Sequence, residues 1–333
     1  MFLLPNIKNF MKISIIIPVY NVAQYIEECL NSVIAQTYMG DMECLIVDDC
    51  GTDDSIAIAK RIIQDYQGNI KFQILYHEHN RGLSAARNTG IEASTGDYLY
   101  FLDSDDSIIP ECLELMVEIL EKYPKAEIVQ AGAIVSEKEY KWLEIEEKDL
   151  PEYSNDKKWI KSTMLKRNVI PVTAWNKLIQ REFIIRNNFF FKEGILHEDE
   201  HWNFFASKWI SQLAICCHNT YNYNIRSGSI MTTKNDKSIK SWFVILDDFI
   251  KNIDDDCKSA QVGMIFRKLH PMYVFPKDKL YMKEVKELLL KLSHEVNFIG
   301  KITIYLIFCL PNYINRKKLI YTYFVENYLV SHF

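Results

Sequence analysis

The sequence predicts an α/β protein in which a mostly parallel central sheet is flanked by helices. Three observations carry this prediction. From residue 13 onward, short apolar runs alternate with segments whose apolar residues recur every three or four positions. The first run, residues 13–19, is almost continuously β-branched, which is typical of a strand buried on both faces of a parallel sheet. Two aspartate clusters directly follow apolar runs, and ligands of open α/β sheets bind at the carboxyl ends of strands.

The elements follow in order along the first 135 residues. Strands are predicted at residues 13–19, 44–47, 71–76, 98–102 and 127–131. Apolar stripes predict the helices between them, with stripe residues Val22, Ile26, Leu30, Val33 and Ile34; Ile56, Ala59, Ile63 and Tyr66; and Leu113, Met116, Val117 and Leu120. A shorter helix is predicted to open at Ser84 and to close at Gly96. Parallel strands joined in this way require right-handed crossovers.

Composition limits the function classes. The chain has 333 residues, and its 48% hydrophobic content is ample for a packed core. A net charge of −5 gives no reason to expect nucleic acid as a partner. The 8 cysteines form no Cys-x-x-Cys pair, which favours reduced thiols in a cytoplasmic compartment. The first ten residues make a poor secretory signal, and Met11 is an alternative initiator to Met1.

The cluster Asp103-Ser104-Asp105-Asp106 follows the apolar run 98–102. Two unit charges about 4 Å apart repel by roughly 4 kcal/mol at an effective dielectric near 20, so such a cluster raises its pKa values or recruits a cation. Oxygen ligands without a nearby thiolate favour Mg²⁺ or Mn²⁺, and these ions favour a phosphate-bearing substrate. Taken alone, the cluster is equally compatible with a solvated turn that caps the helix starting near Pro110.

Four ordered motifs carry a resemblance to a known family. They are Pro18-Val19-Tyr20-Asn21; Val47-Asp48-Asp49 with Thr52-Asp53-Asp54-Ser55; residues 80–90 (NRGLSAARNTG); and Phe101-Leu102-Asp103-Ser104-Asp105-Asp106. In this order and spacing, the motifs resemble family 2 glycosyltransferases of the GT-A fold, closely over residues 11 to 125. Three later segments resemble the acceptor half of that family more loosely: 175–178, 198–200 and 221–230. Cys50-Gly51 departs from the Gly-Ser that is usual after the second aspartate.

The resemblance implies a donor site. Pro18 and Tyr20 would pack against a uracil-like ring, and Asn21 would fix the turn. Asp49, and with less support Asp48, would accept a hydrogen bond from the base or ribose. Ser84 and Arg87 would meet the diphosphate, with Gly82 and Gly90 permitting a tight backbone there. Asp103 and Asp105 would be the DxD pair that holds the ribose and a Mn²⁺ or Mg²⁺ ion, with Ser104 as a further nucleotide-sugar contact and Asp106 as a further ligand or supporting group. The alternatives are an Asn-capped helix entry at Asn21 and a surface arginine at Arg87.

The resemblance also implies an inverting reaction, in which Asp199 acts as the general base on an acceptor hydroxyl. Its neighbours Glu198 and Glu200 would raise the pKa of Asp199 by like-charge repulsion. The alternative is an acid-rich first turn of a helix. Residues assigned to the acceptor side are Trp175, Lys177, Glu198 and Arg226. His218 lies on a strand-like run, and the sequence leaves open whether it contacts a metal.

Three rival functions remain. His197-Glu198-Asp199-Glu200-His201 satisfies the zinc-protease signature H-E-x-x-H, but no Asp or Glu between 202 and 235 offers a third ligand. His197 and His201 are therefore interpreted as acceptor-site or helix-surface groups. A sugar-phosphate nucleotidyltransferase would need a Gly-rich basic loop after the first strand, where residues 19–23 have none. A non-catalytic nucleotide-sugar-binding protein is disfavoured because Asp103, Asp105 and Asp199 are all retained.

The expected organisation is an N-terminal extension (1–11), a nucleotide-sugar-binding half (12–135), an acceptor-binding half (136–235) and a helical C-terminal region (236–333). The resemblance implies a UDP-linked donor and a glycan or lipid-linked glycan acceptor in bacterial surface-polysaccharide assembly. No Gln-x-x-Arg-Trp motif is present, which favours single addition. The apolar segment within 298–318 ends in Arg316-Lys317-Lys318, a pattern that fits either peripheral attachment to the inner face of the cell membrane or a core helix.

Overall fold

The structure is a computed structural model, and it describes residues 11–146, 148–166, 169–225, 236–274, 281–296, 301 and 304–305. The chain divides into two compact units. The first comprises residues up to 160 together with 168–194 and 198–229, and the second comprises 161–167, 195–197 and the chain from 230 onward. The predicted boundaries at 135 and 235 remain predictions, although β-strands from both sides of residue 135 share one sheet.

The first unit is built on a nine-stranded sheet. In chain order its strands are β1 (Ile13–Val19), β2 (Met42–Asp48), β3 (Lys71–Tyr76), β4 (Tyr98–Phe101), β5 (Ser107–Ile108), β6 (Ile128–Ile134), β7 (Tyr153–Ser154), β8 (Lys177–Gln180) and β9 (Leu213–Asn222). Their order in the sheet is β3-β2-β1-β4-β8-β6-β9-β5, and β7 pairs with β9. The four strands β3, β2, β1 and β4 are parallel, whereas β8 runs antiparallel to both β4 and β6. The predicted mostly parallel sheet is therefore present.

Burial explains why the central strands could be recognised. All seven residues of β1 are buried, and so are all four of β4, because helices cover both faces of this part of the sheet. The outer strand β3 alternates between exposed and half-buried positions. The five predicted strands all appear: β1 and β3 have the predicted bounds, and the other three differ by one to three residues at one or both ends.

The helices of the first unit are α1 (Ile26–Ile34), α2 (Ser55–Asp65), α3 (Leu83–Ala93), α4 (Cys112–Lys122), α6 (Arg181–Arg186) and α7 (Glu198–Trp209), with a 3-10 helix at Lys138–Leu143. Helix α5 (Lys157–Leu165) contains the division between the units at residue 160. Helix α3 begins one residue before the predicted Ser84 and ends three residues before Gly96. A Cβ atom at Gly90 would lie 2.3 Å from a methyl carbon of Ile16, so only glycine lets α3 approach β1 this closely.

The second unit is helical, as predicted for the C-terminal region. Helices α8 (Asp236–Lys251), α9 (Lys258–Val274) and α10 (Met282–His294) pack pairwise on one another through buried aliphatic residues. Lys291 of α10 lies 2.6 Å from Asp247 of α8, an exposed ion pair that adds little to stability. In the part of the chain that the structure describes, no helix is both long and apolar enough to cross a bilayer. The membrane segment expected within 298–318 lies outside the described residues, except for 301, 304 and 305.

Candidate active site

The carboxyl ends of β1, β2 and β4 lie side by side and carry the predicted donor residues. Val19 pairs with Asp48, and Ile16 of the same strand pairs with Phe101. Residues that follow these strands therefore emerge at one edge of the sheet, which is where ligands of α/β sheets bind.

Asn21 joins the turn after β1 to the loop after β2. Its backbone has φ 52°, and its Oδ1 accepts a hydrogen bond from the Thr52 amide at 2.8 Å. Asparagine tolerates this left-handed conformation better than most residues. The preceding Tyr20 is 47% exposed, whereas Pro18 is buried within β1. Tyr20 is therefore the side chain of this turn that can offer a ring to a ligand.

Asp49 is buried, and its carboxylate accepts four hydrogen bonds from the chain itself. Oδ1 accepts from the Arg81 amide (2.8 Å) and lies 2.7 Å from Nδ1 of His77, and Oδ2 accepts from the Gly82 amide (2.8 Å) and from Nδ2 of Asn80 (2.9 Å). A carboxylate offers about four acceptor positions, so these donors use the full capacity of Asp49. Asp49 thus fastens the loop that leads into α3.

Asp48 is half-buried and has a weaker internal contact, from the Gly51 amide to Oδ1 at 3.3 Å. Of the two aspartates, Asp48 therefore keeps more capacity to bind a ligand. Sequence reasoning missed His77, whose Nε2 also contacts Thr89 Oγ1 at 2.9 Å. The available signal was its position directly after β3, at the same edge as Asp49.

The amino terminus of α3 has the features of an anion site. Gly82 precedes the helix with φ 89°, and the first amides of the helix are free of intrahelical acceptors by geometry. Ser84 is buried, and its Oγ has no hydrogen-bond partner among the described residues. An unpaired buried hydroxyl at a helix amino terminus is an available donor for a phosphate oxygen.

Arg87 joins three acidic side chains. Its Nη2 donates to Asp103 Oδ1 at 2.8 Å, and its Nη1 donates to Glu198 Oε1 at 2.9 Å and to Asp199 Oδ1 at 2.8 Å. The side chain is only 1% exposed, and the Phe191 ring lies 5.2 Å from the guanidinium carbon. One guanidinium thus links the acidic cluster after β4 with the acidic first turn of α7.

The environment shifts the pKa values of this cluster. Burial raises the pKa of Asp103 to about 6 even though Arg87 lowers it, and Asp105 and Asp199 add to the rise. Burial, with help from Asp199, raises the pKa of Glu198 to about 7. Burial alone would lower the pKa of Arg87, but the three carboxylates outweigh it and raise that pKa. A cluster with more acids than bases in a buried position favours an added cation.

The loop that carries Asp103, Ser104 and Asp105 is held by β9 and the residues after it. Tyr221 donates to Asp106 Oδ2 at 2.7 Å and accepts from the Asp103 amide at 3.2 Å. Asn224 contacts the same loop through its amide, 2.8 Å from Asp106 Oδ1, and through its side chain, 2.9 Å from the Asp105 carbonyl. Asp106 is thus engaged by protein donors, while Asp103 and Asp105 are half-buried.

Asp103 and Asp105 fit a hard divalent cation. Both offer carboxylate oxygens, and Mg²⁺ in phosphate-transferring sites commonly takes one or two carboxylates while substrate phosphates and water complete its shell. Three protein ligands within 4.8 Å of one another occur, among the described residues, only at Asp254, Asp256 and Cys257 of the second unit. There Lys161 already lies 2.7 Å from Asp256. The acidic pair after β4 is the better candidate for a metal shared with a substrate.

Three of the four residues assigned to the acceptor side are buried. Trp175 stacks on Tyr221 with ring centroids 4.2 Å apart, and Lys177 donates to the carbonyls of Pro171 (3.2 Å) and Thr173. Burial lowers the pKa of Lys177 to about 7. Glu198 is engaged by Arg87, and Arg226 lies outside the described residues. Direct acceptor contacts by these residues remain a prediction.

The zinc-protease signature does not form its usual geometry. Helix α7 begins at Glu198, and His197 precedes it with φ 63°, whereas H-E-x-x-H requires both histidines on one helix face. Nε2 of His197 lies 2.8 Å from Ser238 Oγ, and its ring stacks on Trp242. His201 packs against Phe205, and the side chain of His218 is exposed on β9.

A mostly parallel sheet flanked by helices, with an acidic pair after its fourth strand, is the architecture of the GT-A fold of glycosyltransferases. Crystal structures of TarS from S. aureus have this fold. The structure of TarS residues 1–349 in complex with UDP-GlcNAc superposes with a TM-score of 0.69 and 17% identity. The match covers 94% of this chain and 91% of the TarS chain. A mannosyltransferase from Pyrobaculum calidifontis in complex with GDP-Man and Mn²⁺ matches with a TM-score of 0.51 and 15% identity, over 97% of this chain and 86% of that chain.

The family profile described as Glycosyl transferase family 2 matches residues 14–186, just over half of the chain, and the chain belongs to that family. An uncharacterized glycosyltransferase of Haemophilus influenzae is 30% identical over 234 residues, which cover 70% of this chain and 86% of that protein. The uncharacterized glycosyltransferase YibD of Escherichia coli is 33% identical over 194 residues, 57% of this chain and 55% of YibD. The chain thus spans about half the length of YibD. The fold and family expected from the sequence are confirmed.

Proposed function

We propose that this protein is an inverting, metal-dependent glycosyltransferase that moves a sugar from a UDP-linked donor to a hydroxyl of a glycan or lipid-linked glycan, with Asp199 as general base. One observation carries the proposal. Asp103 and Asp199 each lie 2.8 Å from a terminal nitrogen of the same arginine, although 96 positions separate them in the chain. An in-line displacement needs its leaving-group site and its base on the two sides of one sugar, and the shared contact with Arg87 supports a site in which a single hexose would reach both.

The donor would lie along the carboxyl edge of the sheet. Tyr20 would pack against the base, and Asp48 would accept a hydrogen bond from the base or ribose, since Asp49 is already saturated by its own loop. The diphosphate would meet the amino terminus of α3 and the unpaired Ser84 hydroxyl. The nucleotide-sugar complexes of the two structural relatives, TarS with UDP-GlcNAc and the mannosyltransferase with GDP-Man, support a donor of this class.

Asp103 and Asp105 would hold Mn²⁺ or Mg²⁺, as the Mn²⁺ in the mannosyltransferase complex also suggests. A bound cation supplies charge that stabilises the departing diphosphate. The chain's own residues do the rest. Tyr221 and Asn224 fix the loop that presents Asp105, and Asp199 accepts the proton of the attacking hydroxyl as the new bond to the anomeric carbon forms.

The experiment is a screen of nucleotide sugars for hydrolysis, in which water replaces the unidentified acceptor. UDP-GlcNAc, UDP-glucose, UDP-galactose and GDP-mannose are each incubated with Mn²⁺ or with EDTA, and the released nucleoside diphosphate is measured. We expect turnover of at least one UDP-sugar with Mn²⁺ and none with EDTA. UDP binding without turnover of any sugar would instead favour a non-catalytic nucleotide-sugar-binding protein, and absence of binding would refute the proposal.

Cys50 provides an independent measurement of donor position. Its thiol is exposed directly after Asp48 and Asp49. Bound UDP should therefore protect Cys50 from alkylation by iodoacetamide, as peptide mass spectrometry can measure. The exposed Cys217 on β9 is the matched control and should react equally with and without UDP.

A cytoplasmic location with peripheral attachment to the inner face of the cell membrane is likewise proposed. It depends on the cationic apolar segment within 298–318, which lies outside the described residues. Co-sedimentation of the full chain with phosphatidylglycerol vesicles tests the attachment. Binding should disappear when Arg316, Lys317 and Lys318 are replaced by glutamine, and an unchanged sedimented fraction would refute it.

A further inference from the structure

We propose that Arg87 is a positioning residue rather than a ligand of the donor's diphosphate: it orients the base Asp199 with the same guanidinium that braces the metal-binding aspartate Asp103. The inference rests on the proposed function, since it concerns the roles of these aspartates in that reaction. It replaces the diphosphate contact that the sequence predicts for Arg87.

The contacts of the guanidinium support this role. Nη1 spends both of its N–H groups on Glu198 and Asp199, and Nη2 spends one on Asp103. These contacts account for three of the five N–H donors of the guanidinium, and Nε is buried without a hydrogen-bond partner among the described residues. With 1% of its surface exposed, and with the Phe191 ring 5.2 Å from the guanidinium carbon, Arg87 has little access to a ligand beyond these three carboxylates.

The charges point the same way. Glu198 and Asp199 are adjacent acids in the first turn of α7, so their charges repel each other unless a cation faces them. Arg87 is the cation that contacts both, and Lys177 acts on Asp199 only through space. Burial and Asp199 raise the pKa of Glu198 to about 7, while Nη1 of Arg87 holds Oδ1 of Asp199 at 2.8 Å. An ionised carboxylate with a fixed direction is what a general base requires.

The amino terminus of α3 removes the need for Arg87 at the diphosphate. Helix amides and the unpaired Ser84 hydroxyl lie one turn before Arg87 on the same helix and are not engaged by carboxylates. A divalent cation on Asp103 and Asp105 supplies the main positive charge for the phosphates. Arg87 is then left to hold Glu198 and Asp199 in place while it also contacts Asp103.

The test separates the two roles of Arg87 by measuring UDP affinity without metal. Wild type, Arg87→Lys and Arg87→Gln are titrated with UDP in EDTA by calorimetry, and kcat and KM for hydrolysis of the active UDP-sugar are measured with Mn²⁺. For a positioning residue we expect a UDP Kd within about 3-fold of wild type, a donor KM within about 5-fold, and a kcat lower by about 100-fold or more. A UDP Kd weakened more than about tenfold with kcat retained would overturn the proposal.

Arg61→Gln is the matched control, because Arg61 is an exposed arginine paired only loosely with Glu27 at 3.8 Å. Arg61→Gln should leave the UDP Kd, the donor KM and kcat unchanged. If wild type does not bind UDP, the proposed function fails before the role of Arg87 is tested, so the two failures are distinguishable.

Glu198→Gln keeps the inference falsifiable if the Arg87 variants do not fold. Glutamine retains an oxygen that accepts from Nη1, so the variant keeps the shape of the cluster while it removes one charge. A positioning arginine remains on Asp103 and Asp199, and UDP affinity in EDTA stays within about 3-fold. An arginine that competes for the diphosphate would be released, and a Kd tightened by about tenfold or more would overturn the proposal.

Discussion

Tyr221 donates its hydroxyl proton to Asp106 across 2.7 Å and thereby fastens the loop after β4 to β9. The same oxygen accepts the Asp103 amide at 3.2 Å. Both residues are buried, and their contact joins positions 115 apart in the chain. The conformation of the acidic loop therefore depends on Tyr221 of β9. In the proposed reaction this tyrosine contacts neither substrate nor metal, but it helps to hold the loop that carries Asp105.

Replacing Tyr221 with phenylalanine should weaken metal-dependent UDP binding. The substitution leaves buried Asp106 without one of its donors, which costs about 1–3 kcal/mol, and it frees the Asp103 amide. We expect a lower Tm and a UDP Kd in Mn²⁺ weakened by about tenfold, with little change in EDTA. Tyr98→Phe is the control, because the Tyr98 hydroxyl makes only a 3.4 Å contact with the Ala126 carbonyl. Equal effects of both variants on UDP binding would contradict this role for Tyr221.

Asp105→Ala should abolish the metal-dependent part of nucleotide affinity. Asp105 is one of the two half-buried aspartates proposed to hold Mn²⁺, and alanine removes its carboxylate without removing the Asp105 carbonyl that Asn224 contacts. Calorimetry of UDP in Mn²⁺ and in EDTA should give the same Kd for the variant, whereas wild type binds more tightly with Mn²⁺. Asp65→Asn, at an exposed position at the end of α2, should retain the difference. A full Mn²⁺ effect in Asp105→Ala would mean that the metal binds elsewhere.

Asp199→Asn should keep donor binding and lose transfer. Asparagine still fills the position beside Arg87, but it cannot accept the proton of the attacking hydroxyl. We expect kcat to fall by about three orders of magnitude or more, with UDP Kd nearly unchanged. The measurement is hydrolysis of the active UDP-sugar beside UDP calorimetry. Near-normal turnover would show that another group is the base.

The Asp48→Asn and Asp49→Asn substitutions should have different effects on stability and on UDP binding. Asp49 anchors four donors of its own chain, so Asp49→Asn leaves donors unpaired and should lower the free energy of unfolding by about 1–3 kcal/mol. Asp48 has one weak internal contact at 3.3 Å, so Asp48→Asn should retain stability and weaken UDP binding. Urea unfolding and UDP calorimetry of both variants provide the comparison. The reverse pattern would restore Asp49 as the nucleotide contact that the sequence predicts.

Strands that are buried on both faces could be predicted from the sequence, because continuous apolar runs such as 13–19 have few other structures open to them. Strand β8 could not be predicted from the sequence in this way. It has four residues, and it enters the sheet by antiparallel pairing with β4 and β6, in which Tyr98 pairs with Gln180 across 82 positions of the chain. Short strands that depend on such distant pairing carry little local signal, so the antiparallel insertion between β4 and β6 became visible only in the structure.

Within the site, Arg87, Asp103 and Asp199 could each be identified from motifs, but their shared contact could not. The sequence places Arg87 at a helix start, where a phosphate is the natural partner. Arg87 contacts Glu198 and Asp199 only because the first turn of α7 lies beside α3, and no sequence motif predicts that placement. Asp49 shows the same limit, since its four donors come from residues 77–82 and leave a conspicuous aspartate with little capacity for ligand.

Glu43 should make the fold sensitive to acid. This carboxylate of β2 is buried and accepts from Lys12 Nζ at 2.8 Å, from Ser14 Oγ at 2.5 Å and from Thr95. Burial alone would raise the pKa of Glu43, but these hydrogen bonds outweigh it and lower that pKa from 4.5 to about 2. Because the folded-state pKa lies below the unfolded one, the stabilisation is complete above about pH 4.5 and is lost as the pH falls toward 2.

Glu43→Gln should therefore lower the Tm at pH 7 and flatten its fall between pH 4.5 and pH 2. The glutamine keeps the shape of the side chain but loses the negative charge that pairs with Lys12, the residue before β1. Glu27→Gln, which changes an exposed acid of α1, should shift neither quantity. Thermal unfolding across this pH range measures both effects. Parallel acid profiles for wild type and Glu43→Gln would show that Glu43 titrates alike in the folded and unfolded chain, and that the acid sensitivity arises from other carboxylates.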